Sequence, residues 1–96
     1  MIITEIKKDK YLVEFVINGR RFTVLTDDLK YAIKEVERWQ SCGGSNFTTK
    51  LIELIAKADE HNKDKILQGF PEEMCAYLLW YYNMPLKREL LENEQE

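Results

Sequence analysis

The sequence predicts an α+β fold: an N-terminal antiparallel β-hairpin or three-strand meander, followed by three to four helices packed on one face. Three observations predict it. Two runs rich in β-branched and aromatic residues, Tyr11 to Ile17 and Arg20 to Thr26, are separated only by Asn18-Gly19, the pair best suited to the positive φ angles of a type I′ turn. From Leu29 onward the apolar residues recur at helical rather than alternating spacing. The run from Met74 to Tyr82 carries no charge, so as a helix it would be apolar on every side.

With 96 residues, the chain reads as one domain over residues 1–85 with a charged tail over 86–96. A domain of this size buries roughly 65% of the surface its unfolded form exposes, without a metal or disulfide framework. The apolar share of 45% and charged share of 32% are those of an ordinary globular protein, and the longest uncharged run is far short of a membrane span. The start, Met1-Ile2-Ile3-Thr4-Glu5, lacks the basic region and long apolar stretch of a secretory signal, and the two cysteines lack CxxC spacing. A cytoplasmic protein is the expectation. The net charge of −3 removes the attraction that drives nonspecific nucleic-acid binding. An acidic balance is common, and it leaves open a protein partner with a basic groove, including one that normally holds nucleic acid.

The two-residue loop sets the hairpin register. Ile17 faces Arg20, Phe15 faces Phe22, Val13 faces Val24 and Tyr11 faces Thr26, a hydrophobic ladder on one face. The other face carries Leu12 opposite Leu25, Glu14 opposite Thr23 and Val16 opposite Arg21, with Glu14 and Arg21 diagonal and able to pair. Ile2, Thr4 and Ile6 alternate in the same way, so a third strand is expected beside Phe15, Val13 and Tyr11 after a turn around Lys8-Asp9. Lys7, Lys8 and Lys10 then lie at one end of the meander, and Arg20 and Arg21 at the other, roughly 20 Å away. They do not form one basic patch.

Asp27 or Asp28 can cap a first helix in which Leu29, Ala32, Ile33, Val36 and Trp39 share one face, with Lys30, Lys34, Glu35, Glu37 and Arg38 mostly on the other. That helix stops at Gly43-Gly44, where either glycine can take a left-handed cap, and Ser45 or Asn46 can cap the next. In the second helix Phe47, Leu51, Leu54, Ile55 and Ala58 form the buried stripe. The polar segment from Ala58 to Gly69 reads as a helix end followed by one short helix anchored by Ile66 and Leu67. Phe70-Pro71-Glu72-Glu73 opens the apolar helix, since proline suits a first turn and glutamates the positive end of the dipole. Asn83-Met84-Pro85 ends it, and Leu86 to Glu96 reads as a frayed helix or mobile tail.

Ala58-Asp59, Asn62, Lys65-Ile66, Gly69-Phe70-Pro71-Glu72, Ala76-Tyr77 and Trp80-Tyr81 together resemble a C-terminal segment of small proteins of bacteriophages and prophages. Isoleucine stands at position 66 where that pattern usually has leucine, and the N-terminal hairpin lies outside it. The pattern is one of helix-turn-helix packing rather than catalysis. The resemblance implies mobile-element origin, and with it the class of stoichiometric inhibitors of host defence or replication proteins, anti-CRISPR proteins among them.

No set of residues amounts to an active site. Cys42 is the best nucleophile by residue type, but at the C-terminal end of a helix the dipole opposes its thiolate. Cys75 within the apolar helix reads as a buried filler, and His61 as a solvated residue whose metal-ligand neighbours would have to come from Asp59, Glu60 and Asp64. No metal or cofactor is expected. Gly43, Gly44, Ser45 and Asn46 could cradle an anion on free backbone amides, although a tight helix-helix turn uses the same residues. A P-loop is excluded because Lys50 follows Thr48-Thr49 instead of preceding them.

The apolar helix therefore carries the functional reading. It is either a central core helix, with Met74, Tyr77, Leu78 and Tyr81 inward and Trp80 or Tyr82 partly covered by the hairpin, or an interface in which Tyr77, Trp80, Tyr81 and Tyr82 contact a partner. Tyrosine and tryptophan concentrate at binding hot spots because they bury large area at low entropic cost. The first expectation is a non-enzymatic phage-encoded protein that binds and inhibits a host protein in the bacterial cytoplasm. The alternative is a small-molecule or nucleotide-sequestering protein using residues 43–46, and after it a DNA-binding regulator. Self-association is expected to be open to the chain through the edges of strands 1 and 3.

Overall fold

The computed structural model describes residues 1–92. Strands β1 (Ile3–Lys8), β2 (Leu12–Ile17) and β3 (Arg20–Leu25) precede helices α1 (Thr26–Cys42), α2 (Phe47–Lys57), α3 (Glu60–Gly69), α4 (Pro71–Tyr81) and α5 (Pro85–Glu92). The strands form one antiparallel sheet in the order β1-β2-β3. Asn18 and Gly19 take φ of 53° and 79°, as a type I′ turn requires. The β2–β3 register is the one the two-residue loop dictates, with Phe15 opposite Phe22 and Val13 opposite Val24. Val13, Phe15, Ile17 and Val24 are buried on the inner face, and Arg21 reaches Glu14 at 2.9 Å on the outer one.

The third strand exists, but its inward residues differ from the alternation of Ile2, Thr4 and Ile6. Ile3 pairs with Ile17 and Glu5 with Val16, with an irregularity between them. This β-bulge inserts one extra residue and resets the pleat. Ile3 and Ile6 therefore both pack against the core, while Ile2 stands exposed.

Helix α1 starts two residues earlier than a cap at Asp27, and three earlier than a cap at Asp28, would place it. Leu25 occupies the cap position without a side-chain hydrogen bond, and both aspartates sit in the first turn, where their charge favours the helix dipole. Gly43 ends the helix with φ 67°, its N–H donating to the Trp39 carbonyl. Asn46 caps α2, its side chain accepting from the Thr49 N–H at 2.8 Å. The α2 stripe is rotated from the one expected: Leu51, Ile52 and Ile55 are buried, whereas Phe47 and Leu54 are exposed. Two stripes compete in this helix, and the one containing the consecutive pair Leu51-Ile52 wins the core. Asp59 caps α3, accepting from Asn62 N–H at 2.8 Å, and Leu67 anchors it.

Helix α4 is the centre of the molecule, touching α1, α2, α3, α5 and β3. Every residue from Met74 to Leu79 is buried, which is how a helix without a polar face is accommodated. Its first turn carries Glu72 and Glu73 behind Pro71. A fifth helix occupies most of the segment expected as a tail, with Leu86 and Leu90 in the core. The remainder of that segment, residues 93–96, lies outside the described residues.

Candidate functional site

The last turn of α4 is where its apolar surface escapes the core. Tyr81 is 61% and Tyr82 49% exposed, against 6% for Tyr77. The break follows from how the helix stops. Asn83 adopts a left-handed φ of 50°, the Asn83 N–H donates to Trp80 O at 3.1 Å and the Met84 N–H to Leu79 O at 2.9 Å. These two bonds are a Schellman ending, after which Pro85 starts α5. The fully buried run ends with Leu79; Trp80 is half-buried, and Tyr81 and Tyr82 point outward.

Five rings form a continuous chain across this end of the molecule. Trp39 of α1 meets Trp80 edge-on at 5.4 Å, Trp80 lies 5.6 Å from Tyr77, Tyr77 stacks on Tyr81 at 5.9 Å and 19°, and Tyr81 meets Tyr82 edge-on at 5.1 Å. The buried members hold the exposed ones in fixed positions, so little side-chain entropy remains to be lost on binding. The four residues singled out in the sequence are thus brought together, with different roles. Tyr77 is floor, Trp80 is half-buried with its ring edge-on to Trp39, and Tyr81 and Tyr82 are surface. The expectation that Tyr81 points inward is corrected: at the last turn it lies beyond the helices that cover Met74 to Leu79.

Beside these rings lies a cleft of about 200 Å³ lined by Ala56, Glu60, Lys63, Tyr77, Tyr81 and Tyr82, together with Met1 and Leu78. The Tyr82 hydroxyl donates to the Met1 carbonyl at 2.8 Å. The Met1 ammonium donates to Glu60 at 2.9 Å, and this hydrogen bond, opposed in part by desolvation, holds the Glu60 carboxyl below its ordinary range. Burial first, then Tyr81 and Tyr82, raises the Tyr77 hydroxyl above its ordinary value. The cleft therefore holds the Glu60 carboxylate beside the neutral Tyr77 phenol at physiological pH.

Residues 43–46 form a packed turn. Asn46 uses its side-chain oxygen on Thr49 and its amide on Glu35, whose Oε1 accepts at 3.4 Å. Glu35, placed by periodicity on the outer face of α1, is only 4% exposed, and its second oxygen lies 3.5 Å from Arg38 Nε. A buried carboxylate beside the loop opposes an anion there. The basic residues are also dispersed. Arg20 pairs with Asp64, Arg21 with Glu14, and Lys50 and Lys57 with Glu53.

Cys75 is buried, and desolvation followed by the Glu72 and Glu73 charges pushes its thiol far up. Cys42 is exposed, its thiol donating to the Arg38 and Gly43 carbonyls. His61 is exposed, and among the described residues no three histidine, cysteine or acidic side chains gather as a metal site. No described helix is long and apolar enough to cross a membrane.

The sequence reading missed a second exposed apolar patch. Phe47 is 68% and Leu54 57% exposed on α2, with Phe70 against Phe47 at 5.8 Å. Phe47 and Leu54 are seven apart, two turns along one helix face, and that stripe competes with Leu51-Ile52-Ile55 for the core. Comparisons with protein-family models, with curated proteins and with solved structures find no match.

Proposed function

We propose that this chain is a non-enzymatic binding protein that engages a host protein through the exposed aromatic turn of α4, and that it acts as a stoichiometric inhibitor. The observation that carries this reading is Tyr81, 61% exposed yet stacked on the buried Tyr77. A rigid tyrosine at the surface supplies contact area at low entropic cost. Tyr82 extends the surface, and its hydroxyl also holds the chain start, so Tyr81 is the cleaner probe. The net charge of −3 and the Glu60 carboxylate at the rim complement a basic partner. The likeness of the segment from Ala58 to Tyr81 to phage and prophage proteins supports a bacterial host partner and an anti-defence role of the anti-CRISPR kind.

The test is affinity capture from bacterial lysate followed by binding measurements on the protein recovered. Tyr81→Ala should weaken binding by at least about 2 kcal/mol, roughly thirtyfold, while moving stability by no more than about 0.5 kcal/mol. Phe47→Ala should leave binding unchanged. A partner held equally by the Tyr81→Ala variant refutes this surface, and a chain that retains no protein stoichiometrically refutes the inhibitor reading.

The observations at residues 43–46 favour a structural turn over a nucleotide site. The pairing of Arg20, Arg21, Lys50 and Lys57 with carboxylates leaves those cations already partnered, which disfavours DNA binding.

A further inference from the structure

We infer that the open edge of β1 is a self-recognition surface, through which two copies of this chain join their sheets about a two-fold axis at Ile6. The inference is independent of the aromatic surface. β1 pairs with β2 on one side, and among the described residues no other element packs extensively along it. Its backbone polarity follows from two hydrogen bonds. The Tyr11 carbonyl accepts from Thr26 on the β3 side, and the Leu12 carbonyl accepts from Asp9 on the β1 side. Backbone groups along β2 therefore alternate between its neighbours, and Glu14, in phase with Leu12, directs its groups to Lys7 opposite. Lys7 is thus satisfied internally, while Ile6 and Lys8 turn their N–H and C=O groups to the edge.

An antiparallel second copy can be placed against this edge in few registers, and charge selects among them. With Ile6 opposite Ile6, the two isoleucines exchange backbone hydrogen bonds on the axis. Glu5 then lies opposite Lys7 of the other copy, twice by symmetry, at a position where the strands approach most closely. Lys8 falls opposite Thr4, so no like charges face each other. Sliding by one step toward the N-terminus sets Glu5 against Glu5. Sliding the other way sets Lys7 against Lys7 and Glu5 against Asp9. Both put like charges directly opposite, which destabilises a strand pair. Registers shifted by a single residue place inner-face side chains opposite outer-face ones.

The sequence Glu5-Ile6-Lys7 is therefore self-complementary about its centre, and the edge lysines that discourage indiscriminate pairing leave this register open. Within one copy Lys7 lies 3.6 Å from Glu5, so both charged groups are already held over the outer face. The bulge between Ile3 and Glu5 limits the ladder at its far end and keeps the association weak.

Sedimentation equilibrium on the full chain, from micromolar to millimolar concentration and at two ionic strengths, tests this. The expected result is a salt-sensitive monomer–dimer equilibrium. Glu5→Lys alone and Lys7→Glu alone should each weaken it by about tenfold, while the exchanged pair Glu5→Lys/Lys7→Glu should recover it to within about threefold. Thermal melts of all variants establish that each is folded, and the recovery in the double variant separates cross-strand pairing from general damage. A chain monomeric at every concentration, a dimer indifferent to all three variants, or a double variant as weak as the singles overturns the inference.

Discussion

Gly44 and Asn46 show how a short loop fixes the relation of two helices. A Cβ built on Gly44 would stand 2.6 Å from Thr49 Oγ1 and 2.7 Å from its Cγ2. Thr49 cannot simply turn away, since its hydroxyl bonds Asn46 and it is 1% exposed. Gly44→Ala should therefore cost about 1–3 kcal/mol in urea unfolding, as overpacking does. Asn46→Ala removes the α2 cap and also the one amide bonded to the buried Glu35. Its cost should be about 2 kcal/mol, the upper end for a lost cap, and thermal unfolding would read it. The cap was legible because asparagine before a helical stripe is a strong local signal. Glu35 was not legible, because a charge at that spacing reads as outward, and only the returning loop supplies the amide that lets it stay inside.

At the scale of elements, existence was easier to read than orientation. Asn18-Gly19 fixed a register that tertiary packing had no reason to change, and the lack of charge from Met74 to Tyr82 identified the central helix. What could not be read was which side of a helix wins when two apolar stripes compete, as in α2, or where a bulge shifts the pleat, as in β1. The same limit applied to the candidate site. The four aromatic residues lie together, but the boundary between floor and surface is set by the Schellman ending at Asn83, a backbone event. Helix α5 was obscured by its charge density, since Leu86 and Leu90 are separated by Lys87, Arg88 and Glu89. These two leucines lie four apart and both face the core, so α5 is part of the fold. Leu90→Ala should cost about 2–5 kcal/mol, as buried leucine truncations do. A loss below about 0.5 kcal/mol in chemical denaturation would show that α5 packs without contributing.

Across the whole molecule the arrangement of charge follows from two helices running the same way. Trp39 and Trp80 join the last turns of α1 and α4, and Asp28 acts electrostatically on Glu73 in their first turns. Both positive dipole ends thus lie together, with Asp27, Asp28, Glu72 and Glu73 gathered on them. The dipoles favour these carboxylates, but Glu73 is partly buried. Desolvation first, then the Glu72 charge and more weakly Asp28, raises its carboxyl above the ordinary value of 4.5, against a smaller opposing backbone hydrogen bond. A carboxyl raised in the folded state binds its proton more tightly there than in the unfolded chain. As pH rises from 4.5 through the raised value, the folded state must release a proton it prefers to keep, so stability falls across that window. Above it the ionised group carries its full cost. Glu73→Gln removes that cost while keeping shape and hydrogen-bonding capacity, so the variant should be more stable than the parent chain at pH 7. Below pH 4.5 both are neutral at this position, and the advantage should disappear. Urea unfolding of the two proteins at pH 7 and pH 4 decides it. An equal gain at both pH values would assign the effect to packing, and a loss at pH 7 would mean that the paired dipoles outweigh burial.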